Sequence, residues 1–225
     1  KPLLLEGPPG VGKTEIGKLW AEFHGADLVR LQCYEGLDES KALYEWSYGR
    51  QMLYAQLLRD KMGERLASAP DLKGALAVLR GEADEFFSRD FLLPRPLLAA
   101  ITAERPVVLL VDEVDRSDEE FEASLLEVLS DYQVSIPELG TVRARHRPRV
   151  VLTSNDSRDL SGALRRRCLY LYVDYPSFED EIAIVESRVP GLSAALTERL
   201  GRFAEPRRKP DPKKAPPLPA APPPA

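Results

Sequence analysis

The chain has 225 residues, 44% of them hydrophobic and 30% charged, enough to bury the core of one domain with a small appendage. A formal net charge of -5 and a pI near 5.3 argue against a protein whose main task is to coat nucleic acid or an anionic membrane. Cys33 and Cys168 lie far apart, with no CxxC and no histidine pair beside them, so neither a disulfide framework nor a zinc site is suggested and a reducing cytoplasm is the expected compartment. No apolar run approaches the roughly 20 residues that span a bilayer.

The chain opens at Lys1 directly on a strand, and an upstream segment is expected to precede it. Leu3–Leu5, Leu28–Cys33, Val107–Val111, Val150–Thr153 and Leu169–Val173 are short, near-continuous apolar runs, the pattern of parallel strands buried on both faces. Between them, Thr14–His24 and Ser117–Tyr132 carry apolar residues at helical spacing, which predicts a doubly wound α/β sheet. The first strand runs into GPPGVGKT, which fits G-x-x-x-x-G-K-T with the required strand before it and helix after it. Glycines there let backbone N–H groups converge on a β-phosphate at a helix N-terminus. Lys13 would reach the β- and γ-phosphates of ATP, and the Thr14 hydroxyl would bind Mg²⁺; Gly7, Pro8, Pro9, Gly10, Val11 and Gly12, with Glu15 one residue into the helix, complete the expected nucleotide contacts.

Leu37–Gly63 has a long helical pattern after Asp38, Glu39 and Ser40, and predicts one long or broken helix. VVLLVDEVD then ends an apolar strand in two carboxylates. Asp112 would hold the magnesium through water and Glu113 would polarise the attacking water as general base. The competing reading makes them caps of the next turn, with Asp115 and Asp118 as further helix-start acids. Residues 133–149, alternating on either side of Glu138-Leu139-Gly140-Thr141, predict a hairpin before the next strand. VVLTSN puts Asn155 just past that strand, where an amide could orient water or touch the γ-phosphate, although a lone asparagine is more often a turn residue. ALRRRC follows, and three consecutive arginines cannot all serve one site. Residues 205–225 hold nine of the twenty prolines and predict a disordered tail.

Together GPPGVGKT, LLVDE, TSN and ALRRRC resemble the Walker A, Walker B, sensor 1 and arginine-finger motifs of an AAA+ ATPase. GPPGVGKTEIGK, RLQCYEGLDESKALYEW, LLVDEVDRSDEEFEASLLEVLSDYQVSIPELGTV and VVLTSNDSRDLSGALRRRC are similar, more narrowly, to the MoxR family and its CoxD-type branch. The resemblance implies a P-loop NTPase of three layers around a parallel five-stranded sheet over residues 1–175, a truncated all-helical lid over 176–204, and the tail. It also implies a cytoplasmic ring, commonly a hexamer, working with a von Willebrand factor A domain partner on a metalloenzyme client, a molybdenum hydroxylase such as aerobic carbon monoxide dehydrogenase. By the same layout Arg165, or Arg166 beside it, would enter the neighbouring subunit's ATP site. Phe178–Val189 and Leu192–Phe203 would begin the lid, with Arg199 and Arg202 as the nearest sensor 2 candidates.

Two other readings compete. A DNA-acting AAA+ motor would use Arg143, Arg145, His146, Arg147 and Arg149 to track phosphates, against the acidic charge of the whole. A small-molecule kinase would not need the Glu113 base, Asn155 or an arginine in trans.

Overall fold

The computed structural model describes residues 1–67, 69, 71, 73–74, 88–137 and 139–188. The described residues up to Val173 form one compact unit, and those from Asp174 to Arg188 belong to a second. In the first, β1 (Leu3–Glu6), β2 (Asp27–Gln32), β5 (Val107–Asp112), β8 (Arg149–Ser154) and β9 (Leu169–Tyr172) form a sheet in the order β2-β5-β8-β1-β9. All four pairings are parallel, so every strand points its C-terminal end to one edge, where ligands of such sheets bind.

The five predicted strands are all present, but burial on both faces holds only at the centre. Every residue of β5 is buried, as are Val150 to Ser154 of β8. In the edge strands, β2 buries Leu31 alone and all four residues of β9 are exposed. An edge strand has a neighbour on one side only, so an apolar run there does not guarantee cover on both faces.

Alternation along the central strands builds the three layers. Leu5, Val108, Leu110 and Val151 face α1 (Lys13–Phe23) and pack with Ala21, Ile16 and Trp20. A Cβ on Gly17 would lie 2.9 Å from Leu110 Cδ1, so the glycine is what brings α1 down onto β5. Leu4, Leu109, Val111 and Leu152 face the opposite way into the larger core, with α4 (Pro96–Thr102) and α5 (Glu119–Asp131). Asp118 caps α5 by accepting from the Phe121 amide at 2.8 Å, and Glu119, Glu120 and Glu122 favour the positive end of its dipole.

The long helix predicted over 37–63 is interrupted by a strand. α2 (Glu39–Ala42) is followed by β3 (Tyr44–Trp46), which pairs antiparallel with β4 (Leu92–Pro94), and only then does α3 (Tyr48–Ala67) begin. Leu43 and Trp46 are buried in the core, and the Leu43 carbonyl accepts from the Arg95 amide at 3.0 Å. Pairing with a segment some fifty residues downstream overrides the local helical pattern here.

The predicted hairpin forms over a shorter span than 133–149, as β6 (Gln133–Ile136) against β7 (Gly140–Arg143) in a separate two-stranded sheet. Gly140, at φ 73, ends the turn opposite Ile136, so the second strand starts earlier than the alternation suggests. The basic run is consequently not one strand face: Arg143 ends β7, Arg145 to Arg147 lie in the connection, and Arg149 opens β8. The Arg147 guanidinium sits 5.6 Å from the centroid of the Tyr132 ring.

In the second unit, α7 (Phe178–Arg188) lies where the first lid helix is predicted, with Glu179, Asp180 and Glu181 in its first turn. Leu192–Phe203, Arg199, Arg202 and the tail at 205–225 lie outside the described residues. Among the described residues no helix is long and apolar enough to cross a membrane.

Candidate functional site

The chemistry-bearing residues meet at the C-terminal edge of the sheet, where β1, β8 and β5 lie side by side. β1 ends at Glu6, and the glycine-rich loop runs from Gly7 into α1. The Gly7 amide donates to the Ser154 carbonyl at 3.3 Å, and a Cβ on Gly7 would lie 2.0 Å from the Val173 carbonyl oxygen, so the loop leaves the sheet through a gap only glycine fits. Gly10 and Gly12 adopt left-handed φ values of 85 and 94, which a side chain would resist. Lys13 opens α1 and is 5% exposed, its ammonium donating to the carbonyls of Gly7 (2.8 Å) and Pro8 (2.6 Å). Burial lowers the Lys13 ammonium below its ordinary value, against the opposing pull of Asp115, Asp112 and Glu113.

The last residue of β5, Asp112, is the acidic focus. Its Oδ1 accepts from the Thr14 hydroxyl at 3.0 Å and the Thr153 hydroxyl at 2.6 Å. Its Oδ2 accepts from the Arg30 guanidinium at 2.6 Å. Thr14 and Asp112 are 98 residues apart in the chain, and their contact joins the glycine-rich loop to the acidic strand end. Glu113 follows in a left-handed conformation, φ 57 and ψ 50, which an L-residue adopts only at a cost of about 1–2 kcal/mol. Its amide donates to Thr153 Oγ1 at 2.9 Å, and its carboxylate accepts from the Gln32 amide at 3.1 Å and lies 3.5 Å from Arg116 Nη1.

Asn155 is the first residue after β8. Its amide N–H donates to Asp115 Oδ1 at 3.1 Å, and the Ser157 amide donates to Asp115 Oδ2 at 3.0 Å. Burial alone would raise the Asp115 carboxyl, but the hydroxyl and amide of Ser157 and the amide of Asn155 outweigh it and hold the carboxyl below the usual range. Asp115 thereby fixes the Asn155 loop against the turn that carries Glu113; it is more than a helix-start acid.

α6 (Gly162–Arg167) carries the arginine triplet. Arg165 does not extend from the surface: its Nη2 donates to both carboxylate oxygens of Glu6, at 2.9 and 2.7 Å, and its guanidinium lies 5.8 Å from the centroid of the Tyr170 ring. Arg166 is exposed, and Arg167 donates to Ser130 Oγ at 2.8 Å. Glu15, on the first turn of α1, forms a 2.7 Å salt bridge with Lys18.

These residues fit a magnesium-nucleotide complex on the chain's own evidence. The loop combines left-handed glycines with a buried ammonium, and a hydroxyl and a carboxylate meet beside it. Among the described residues no cluster of three or more histidine, cysteine, aspartate or glutamate side chains could cage a metal unaided, so a magnesium ion would rest on Thr14 and Asp112 together with nucleotide phosphates.

Sequence reasoning missed Arg30, Gln32, Thr153 and Glu6. The first two had a legible signal: VRLQ, residues 29–32, alternates, and two polar side chains at positions 30 and 32 fall on one face of a strand. Thr153 and Glu6 looked like ordinary strand-end residues, and only the sheet order reveals their partners.

Residues 2–168 match the family model described as "AAA domain (dynein-related subfamily)". The chain is also similar to the solved structure of a RuvB mutant from Thermotoga maritima, at 18% identity and a TM-score of 0.49, over 83% of this chain and 43% of that one. The chain therefore spans less than half the length of that protein.

Proposed function

The chain belongs to the AAA domain family, in its dynein-related subfamily, and from that premise we propose that it is a magnesium-dependent ATPase that remodels protein partners in the manner of the MoxR family. The observation that supports this reading is the 3.0 Å contact between Thr14 and Asp112, which sets the glycine-rich loop against the carboxylate at the end of β5. Lys13 turns from the carbonyls of Gly7 and Pro8 to the β- and γ-phosphates, and the N–H groups of the loop take the remaining phosphate oxygens. Bound magnesium supplies neutralisation and Lewis-acid polarisation of those phosphates. Glu113 accepts a proton from the attacking water, for which its carboxylate must leave Gln32 and Arg116. Asn155, held by Asp115, orients that water.

The finer reading follows the resemblance. Subunits form a ring, a hexamer by the family's habit, in which Arg165 or Arg166 reaches the neighbour's γ-phosphate and stabilises the charge that develops there. Arg165 must first give up Glu6, whereas Arg166 is already exposed. A von Willebrand factor A domain protein is the proposed partner and a molybdenum hydroxylase, such as aerobic carbon monoxide dehydrogenase, the proposed client.

Glu113→Gln should still bind ATP and lose turnover by about 10²-fold or more; unchanged turnover would remove Glu113 as the base. Mixing Arg165→Ala subunits with Glu113→Gln subunits should restore part of the activity if the arginine acts in trans, and the same mixture with Arg166→Ala identifies which of the two does so.

A further inference from the structure

The least expected residue in the site is Arg30. It stands on edge strand β2, two residues before Gln32, which is in direct register with Asp112, and so on the same face of the strand as Gln32. The Asp112 side chain is 3% exposed and the Arg30 side chain 47% exposed, yet they make a 2.6 Å ion pair. The same guanidinium nitrogen, Nη2, donates to Gln32 Oε1 at 2.7 Å, so the neighbour two residues along the strand holds the guanidinium in place over the carboxylate. A carboxylate buried to this degree needs a partner of opposite charge, because leaving it unpaired in a low-dielectric site is costly. Thr14 and Thr153 supply hydroxyl donors to Asp112, and Lys13 spends its ammonium on loop carbonyls. Among the described residues, Arg30 is therefore the cation that directly touches Asp112.

We propose that Arg30 is a resident counter-cation that holds Asp112 in the metal-free protein and competes with the divalent ion for the same carboxylate. The inference rests on the reading of Asp112 as the magnesium-holding residue. The Thr14 hydroxyl also lies 3.2 Å from the Oδ2 that Arg30 holds, so a divalent ion beside Thr14 and Asp112 would sit close to the guanidinium; two cations at such range repel one another, and metal entry requires Arg30 to withdraw. Its exposure leaves it a path into water, where a guanidinium is readily solvated, so withdrawal is open to it while Asp112 stays buried. The pairing has two effects: it keeps the site formed without metal, and it sets a threshold on metal affinity. Arg30 is thus a positioning residue, acting on the metal through Asp112.

The test is isothermal titration of Mn²⁺ into the full chain saturated with ADP, for the native protein, Asp112→Asn, Arg30→Met and Arg30→Lys. Removing a charge-assisted competitor should tighten Mn²⁺ binding in Arg30→Met by about 10-fold or more. Arg30→Lys, still cationic, should stay within a few-fold of the native protein. A role limited to packing would leave Mn²⁺ affinity unchanged or weaken it in Arg30→Met, and either result overturns the proposal. If the native protein binds Mn²⁺ no better than Asp112→Asn, the reading of Asp112 itself falls and the proposal with it. If the native protein binds better than Asp112→Asn while Arg30→Met gains nothing, only the role of Arg30 is lost. Arg30→Gln replaces Arg30→Met, with the same expected gain, should the latter not fold.

Discussion

Thr153→Val isolates how the site depends on one hydroxyl. Thr153 is 1% exposed, and its Oγ1 donates to Asp112 at 2.6 Å while accepting from the Glu113 amide at 2.9 Å. Valine has nearly the same shape, so the substitution changes polarity with little change in volume. It removes a hydrogen bond to a carboxylate, about 1.5–3 kcal/mol, and leaves the Glu113 N–H without that acceptor, about 1–3 kcal/mol. An added buried methyl returns about 0.8 kcal/mol. The net loss is about 2–5 kcal/mol, which in a domain of this size lowers Tm by roughly 4–20 °C and takes a large share of a stability of about 5–15 kcal/mol. Urea and thermal unfolding, followed by circular dichroism, measure it. Thr153→Ser is the control, since it keeps the hydroxyl and loses one methyl, about 1 kcal/mol. If valine costs no more than serine, the hydroxyl does not join the two acidic residues and the argument fails.

Three further predictions concern neighbouring features. Gly7→Ala should lower Tm and weaken ATP binding more than Gly10→Ala, because a Cβ at Gly7 meets the Val173 carbonyl at 2.0 Å whereas Gly10 has open space and only its φ of 85 to overcome; equal melting shifts and equal affinities would contradict this. Asp115, held below the usual carboxyl range by Ser157 and Asn155, contributes stability that is complete above the unfolded value of about 3.9 and is lost as pH falls through the still lower folded value. Urea midpoints should therefore fall more steeply below about pH 4 in the native protein than in Asp115→Asn, and parallel curves would refute the linkage. Burial raises the Cys33 thiol to about 12 and the Cys168 thiol to about 11, so both should resist alkylation at pH 8 until urea unfolds the chain, as mass spectrometry after timed quenching would record.

The sequence was most legible where a local pattern and a tertiary role coincide. Residues 7–14 combine a run of glycines with a flanking strand and helix, and the structure keeps all three; β5 is apolar because it is central, and Asp112 and Glu113 stand out at its end for that reason. Legibility fell where a long-range partner decides. β3 cuts into a helical pattern because β4 pairs with it from some fifty residues away. Arg165 stands in a triplet that gives no hint of Glu6, 159 residues upstream. The hairpin was legible as a hairpin, but its turn was displaced because a left-handed Gly140 can end a turn or begin a strand, and only the register with Ile136 decides.

The seat of Gly7 against Val173 has a mechanical side. The Val173 amide donates to the Glu6 carbonyl at 2.8 Å, and its own carbonyl crowds the Gly7 α-carbon, so the residue that closes the first compact unit is fastened to both sides of the peptide leading into the phosphate cradle. A tug on the backbone at Val173 would be felt at the cradle's entrance with almost no slack between them. Any rearrangement of that cradle would, by the same contact, press first on the backbone at Val173.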